Sequence, residues 1–275
     1  MLCAGIDPHA PPTLFQGKGL TEVKAVGDWL FALLPILTRH VGVIKPQLAL
    51  FERLGAEGMK LLADFTKTAI DEGLLVIMDG KRGDIASSAT AYAEAYLGED
   101  APFPAHALTI NPYVGTGSIA SFAEIAAKRG GGIFVLVRTS NPDSTHPQEI
   151  ICQDGRGVYL HVAESLIPHV ESLMGTSGFS SCGIVIGATQ PEAARTLRQM
   201  LPKALFLIPG YGAQGASAAD ALAGLVDGKE GKEGGVVNSS RQLLQTQDAQ
   251  TATTLANWQG AVSHAITQAI SDLRG

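Results

Sequence analysis

Eight short apolar runs, each ending on polar or small residues and followed by a stretch with helical spacing, constrain this chain more than any other feature. They lie at 2–6, 41–45, 74–78, 107–110, 133–137, 183–186, 205–208 and 235–237. The runs are continuous rather than alternating, the pattern of strands covered on both faces. Between them apolar residues return at i, i+3 and i+4. Val26, Leu30, Leu33, Leu34 and Leu37 form one such stripe, and Ala193, Leu197 and Met200 another. Eight βα repeats without a break in composition predict a closed parallel (β/α)8 barrel, the TIM-barrel form of the α/β class. A doubly wound sheet, which usually has fewer strands, is the second possibility.

Composition sets further bounds. A length of 275 residues with 45% hydrophobic content can fill one barrel, so 1–275 is expected to form a single domain. A net charge of −6, with no dense Lys/Arg run, argues against nucleic acid as a partner. A small anionic substrate would need a local positive site working against that overall field. The cysteines (Cys3, Cys152, Cys182) are odd in number and form no CxxC pair, as expected of buried thiols in a reducing compartment. The longest apolar run, 30–37, contains Pro35 and is far shorter than the roughly 20 residues of a membrane span. No basic region followed by an apolar stretch opens the chain, so no signal peptide is expected. These features predict a soluble cytoplasmic protein that binds no membrane.

Two connections stand out. The segment 139–182 is unusually long for a barrel and carries Pro142, Pro147 and a Gly-Arg-Gly turn before an expected helix near 158–173. Its start is a candidate active-site loop. The segment 228–234, GKEGKEG, reads as a mobile, solvated connection before the last strand.

In a parallel barrel the C-terminal strand ends converge on one mouth. Here they read IDPH, IKPQ, MDGKRGDI, INPY, VRTSNP, IGAT, IPGYGAQG and VNSSR. The third is the most informative. Residues i and i+2 of an extended strand share a face, so Asp79 and Lys81 can both point into the mouth. Asp84 follows at the start of the next helix, where Ser87 and Ser88 suit a capping turn. A purely structural account exists, with Asp79–Lys81 as an ion pair and Asp84 as a helix cap. Lys45, ending the preceding strand, shifts the balance towards a charged active site.

At 79–85, Asp-x-Lys-x-x-Asp-Ile resembles the signature of the orotidine 5'-phosphate decarboxylase family, and the KRGDI version is similar to its longer bacterial branch. Further resemblance runs through CAGIDPH, VIKPQLALFE, NPYVGTGS, VLVRTSNP, GIVIGAT, PGYGAQGA and VVNSSR, in the family's order along almost the whole chain. The resemblance implies a (β/α)8 barrel that converts orotidine 5'-phosphate to uridine 5'-phosphate and carbon dioxide without cofactor or metal, in pyrimidine biosynthesis. It implies that Lys81 protonates C6 of the pyrimidine and that Asp79 lies against the substrate carboxylate. Lys45 and Asp84 complete a Lys-Asp-Lys-Asp array, with Asp84 and Ile85 reaching the site of a neighbouring subunit in a homodimer. Asp7 would bind ribose hydroxyls, Ser140 the pyrimidine, and Gln214 and Arg241 the phosphate. Ser88 stands where the family commonly has a threonine that touches the neighbouring site's ribose. Relatives usually carry a helix ahead of the first strand, whereas this chain starts almost directly with it.

The chemistry agrees with these roles. Loss of carbon dioxide leaves an electron pair on C6 with no carbonyl sink, so stabilisation must come from a charge already aimed there. Alternating lysines and aspartates give every buried charge a partner. The Gly-rich turn 209–215 exposes N–H groups, and Arg241 adds a guanidinium suited to two phosphate oxygens. A metal-dependent sugar-phosphate aldolase or decarboxylase on the related barrel is the nearest rival, but those enzymes place a glutamate where Lys45 stands. A catalytically silent nucleotide-phosphate sensor is the other. The seven histidines show no ligand pattern, and His9 is expected in a solvated loop.

Overall fold

The computed structural model describes residues 1–229 and 231–274. In chain order the first half runs β1 Leu2–Ile6, α1 Glu22–His40, β2 Val43–Pro46, α2 Leu48–Glu52, α3 Gly55–Asp71, β3 Leu75–Arg82, α4 Ala86–Leu97, β4 Ala107–Ile110 and α5 Ile119–Lys128. The second runs β5 Gly132–Arg138, α6 Thr145–Gln148, α7 Val158–Ser165, α8 Ile167–Ser172, β6 Ser180–Ile186, α9 Pro191–Met200, β7 Ala204–Pro209 and α10 Ala218–Leu222. After these come β8 Val226–Gly228, β9 Gly231–Glu233, β10 Gly235–Ser239, α11 Arg241–Leu244, α12 Gln247–Thr251 and α13 Leu255–Asp272.

Eight strands close into a parallel barrel in the order β1-β10-β7-β6-β5-β4-β3-β2, the predicted (β/α)8 fold. The continuous apolar runs follow from burial on both sides. Cys3, Ile77, Ala107, Phe134, Val185 and Leu207 pack together inside the barrel, while the alternate residues meet the helices. Gly183 is part of that interior fit, because a Cβ there would lie 2.6 Å from the Phe134 ring. The predicted stripe on α1 is buried, and Thr21 caps the helix by accepting the Lys24 N–H. Trp29 and Trp258 are buried in the shell, Trp258 edge-on to Phe15 at 5.0 Å between centroids.

Three expectations need correction. The helix near 158–173 is two helices, divided at Leu166 just before Pro168, whose ring blocks the regular turn. Ser87 and Ser88 do not cap α4. A sharp turn with Ala86 at φ +47° starts the helix ahead of them, and Ile85 occupies the N-cap without a side-chain bond. The segment 228–234 is not simply an open connection. β8 and β9 pair antiparallel, with Asp227 opposite Lys232 in a 2.6 Å ion pair, while position 230 lies outside the described residues.

At the N-terminal rim a cavity of about 830 Å³ is lined by Met1, Leu2, Val41, Leu222, Ile270 and Leu273, among others. No helix among the described residues is long and apolar enough to cross a membrane.

Candidate active site

The carboxylate of Asp79 is the hub of the barrel mouth. It ends the straight part of β3, is almost fully buried, and accepts four side-chain hydrogen bonds. Lys45 Nζ at 2.5 Å and Gln47 Nε2 at 3.2 Å donate to Oδ2, both from the end of β2. Lys81 Nζ at 2.6 Å and Thr109 Oγ1 at 3.0 Å donate to Oδ1. The two ammonium groups differ in access. The Lys45 side chain is 5% exposed, that of Lys81 47%. One cation is thus locked beneath the mouth and the other stands at its opening.

The burial that would neutralise these groups is outweighed by their mutual attraction. Burial disfavours the Asp79 anion, but the ammonium groups of Lys45 and Lys81 hold its carboxyl well below the usual range. Burial likewise disfavours the Lys45 cation, and the charges of Asp79 and then Asp7 reverse the effect and raise its pKa. Beneath the array, burial pushes the Cys3 thiol up to about 12. Cys182 is equally buried and inert, with its thiol also near 12, whereas Cys152 is only half-buried, unlike the expectation.

Lys81 reaches Asp79 by a route other than the extended i, i+2 geometry. Its backbone is left-handed, φ +47°, within an irregularity of the β3–β4 pairing between Met78 and Arg82. A non-glycine residue there costs on the order of 1–3 kcal/mol and needs neighbours that hold it. Thr109 Oγ1 accepts the Lys81 N–H at 3.0 Å. Next along, the Arg82 guanidinium pairs with Glu52 of α2, contacts Tyr96 Oη at 3.4 Å and lies 5.4 Å from the Tyr92 ring centroid, both tyrosines belonging to α4.

The other expected residues fall into three groups. Asp7 follows β1, and its Oδ1 is buried without a hydrogen-bond partner among the described residues, while His9 beyond it is exposed as expected. Ser140 and Gln214 are brought together from the ends of β5 and β7, and Arg241 follows β10 at the start of α11. A Cβ on Gly210 (φ +103°) would lie 3.1 Å from Ser140 Cβ and 3.3 Å from Gln214 Oε1. Gly212 of the same turn lies against Gln242, the neighbour of Arg241 in α11. Asp84, Ile85 and Ser88 form the third group and do not join the array within this chain. Asp84 Oδ1 accepts the N–H of Ile85 at 2.8 Å, and Ile85 is 61% exposed. Beside it, Gly83 packs on the backbone of Asn111, which leads into Tyr113 and Val114, both exposed.

Several participants were not anticipated. Gln47 and Thr109 complete the Asp79 shell. Thr109 is a lone hydroxyl in an otherwise apolar strand, and that contrast was its signal in the sequence. Asn238 stands inside β10, opposite Cys3, with a buried Oδ1 that has no partner among the described residues. Arg138, ending β5, is buried and braces the Ser140 loop. It donates to Glu149 at 2.5 Å, to the Thr139 carbonyl at 3.1 Å and to Ser144. Oriented ammonium groups around one carboxylate, with unfilled acceptors on the same rim, can hold a small anion and stabilise charge developing in it.

Comparison with known proteins agrees with this geometry. Residues 1–255 match the model of the family described as Orotidine 5'-phosphate decarboxylase / HUMPS. The orotidine 5'-phosphate decarboxylase of Rhodopirellula baltica is 42% identical, over 99% of this chain and 94% of its own. That of Salinispora tropica is 41% identical over 80% of this chain and 77% of its own. The solved structure of Leishmania donovani OMP decarboxylase superposes with a TM-score of 0.73 at 30% identity, covering all of this chain and 94% of that one. The chain therefore belongs to the orotidine 5'-phosphate decarboxylase / HUMPS family.

Proposed function

We infer that this chain is an orotidine 5'-phosphate decarboxylase, releasing carbon dioxide and uridine 5'-phosphate in pyrimidine biosynthesis. The observation that carries the reading is the Asp79 carboxylate held between the ammonium groups of Lys45 and Lys81 at the barrel mouth. Asp79 presents fixed negative charge to the carboxylate of the substrate, a repulsion that ends when neutral carbon dioxide leaves. The C6–carboxylate bond breaks, its electron pair stays on C6, and Lys81 delivers a proton there. The amine left on Lys81 regains its proton from solvent. An ammonium already in place avoids the cost of reorganising water around the developing charge.

Asp7 and its unfilled oxygen suit a ribose hydroxyl donor. Ser140 binds the pyrimidine, and Gln214 with Arg241 grips the phosphate, whose binding energy holds the ring over Lys81. This chemistry draws on side chains alone. Lys45, where the metal-dependent relatives place a glutamate, offers a cation rather than a ligand.

The chain acts as a single barrel unit over 1–275 and as a homodimer. In the dimer Asp84 and Ile85, unpaired with the array in their own chain, enter the partner's mouth with Ser88 near its ribose. The exposed Ile85, Tyr113 and Val114 supply apolar surface for that contact. The KRGDI run at 81–85 supports membership of the longer bacterial branch of the family. Purified protein should remove the absorbance of orotidine 5'-phosphate, at a rate that EDTA leaves unchanged. No loss of absorbance rejects the reading, and activity lost to EDTA and restored by Mg2+ favours a metal-dependent reaction.

A further inference from the structure

We propose that Thr109 is a positioning residue for the decarboxylation, one that ties the carboxylate of Asp79 and the backbone of Lys81 into a single rigid unit. The inference rests on the reading that Lys81 and Asp79 carry the reaction.

An ionised carboxylate offers about four acceptor sites, and Asp79 uses them on Lys45, Gln47, Lys81 and Thr109. Two of these donors are ammonium groups, which rotate freely and attract from many directions. They supply charge but little orientation. The neutral donors fix the plane of the carboxylate, and Thr109 does so from within a strand, 1% exposed and held at β-branched χ1.

The Thr109 hydroxyl has one proton, and its direction is determined. The Lys81 N–H points at Oγ1 at 3.0 Å, so the oxygen accepts there and its own proton must go to Asp79 Oδ1, also at 3.0 Å. The hydroxyl therefore bridges the backbone of one reacting residue and the side chain of the other. The Lys81 backbone is in the left-handed region and needs such a hold. Lys81 Nζ and Thr109 Oγ1 also share Asp79 Oδ1. A shift of the hydroxyl thus moves both the ammonium and the carboxylate it leans on. The anchoring of Arg82 on α2 and α4 restrains the far side of the same turn, which leaves Thr109 to restrain the side facing the mouth.

The test is steady-state decarboxylation of orotidine 5'-phosphate by the full chain carrying Thr109→Val, Thr109→Ala or Thr109→Ser. Valine keeps the shape and removes the bridge. It should lower kcat by about 10- to 100-fold, the cost of a misplacement on the order of 1 Å, with KM within about 3-fold of wild type. Serine keeps the hydroxyl and should retain kcat within about 3-fold. Alanine cannot overpack the barrel and decides the matter on the same criteria if the valine chain fails to fold. Wild-type kcat in the folded valine or alanine chain overturns the proposal. So does a serine chain as slow as the valine chain, or a loss confined to KM. A wild-type chain without turnover would instead reject the parent reading, which keeps the two failures apart.

Discussion

Two of the buried cations, Lys45 near the mouth and Arg198 near the floor, are held in different ways. At the mouth Lys45 meets a carboxylate, Asp79, which it shares with Lys81, and oxygens of Asp7 and Asn238 stay buried without partners nearby. Towards the floor, Arg198 of α9 meets no carboxylate among the described residues. Its guanidinium donates to the carbonyls of Leu201, Pro202, Ala204, Gly224 and Gly234 at 2.7–3.2 Å and lies 3.7 Å from the Phe206 ring centroid. Burial lowers its pKa to about 10, which leaves it charged at neutral pH.

The difference separates structure from function. Carbonyl dipoles and a ring face surround Arg198, so it staples α9, the start of β7 and the segments before β8 and β10 into the floor. The mouth is left incomplete: buried acceptors there lack donors among the described residues, and one of its expected carboxylates, Asp84, accepts the N–H of Ile85 rather than a lysine of the array. A rim whose polar groups are all satisfied stabilises the fold. A rim that keeps some unsatisfied retains binding capacity for a ligand.

The comparison is sharpest where the mouth is argued to need a partner. An Asp79→Ala chain and an Asp84→Ala chain should each lose at least about 10³-fold in kcat, since each removes a charge from every site. Mixed in equal amounts with subunit exchange, they should recover about a quarter of wild-type activity. Half the dimers are then mixed, and each has one complete site. No recovery despite demonstrated exchange contradicts a shared mouth and makes Asp84 a cap of its own helix.

At the floor the expected loss is of a different kind. Arg198→Met strands several buried carbonyls and should cost about 3–5 kcal/mol of stability. In urea titration the midpoint falls, while kcat per folded molecule stays at the wild-type value. A fall in kcat at full folding would break the division between the two rims.

The smallest expected effect is on the pH dependence of stability. The Asp79 carboxyl is held below its unfolded value. Its contribution is therefore complete above about pH 4 and is lost as pH falls towards the folded pKa. Lys45, raised by its partners, contributes fully below about pH 10 and loses its share as pH rises through the folded value. Compared with Asp79→Asn, the wild-type advantage in unfolding free energy should shrink by about 1 kcal/mol between pH 7 and pH 3. A gap independent of pH would show that Asp79 is not the ion the array requires.

How much of this was legible in the sequence depends on the range of the interaction. Lys45, Asp79 and Lys81 could be found because each ends an apolar run, and a parallel barrel gathers such ends on one rim. Even so, the reach of Lys81 to Asp79 comes from a left-handed residue rather than from the strand alternation that predicted it. Gln47 and Thr109 were missed because their importance arises from register between neighbouring strands, which composition along one strand does not encode. The serines of 87–88 carried a local capping signal that the turn at Ala86 displaced. GKEGKEG looked open because its glycines and charges suit solvent, yet the pairing of Asp227 with Lys232 lets part of it form a ladder. Local patterns picked out the charged cluster at the mouth, and contacts across strands completed its hydrogen bonding.

The central claim is that the Lys81 ammonium does the chemistry and the rest of the mouth holds the nucleotide. The most direct measurement pairs turnover with binding of uridine 5'-phosphate in a Lys81→Ala chain. The account predicts that decarboxylation falls by about 10⁴-fold or more while the nucleotide still binds within about tenfold of wild type. A Lys81→Ala chain that turns over near the wild-type rate would contradict it.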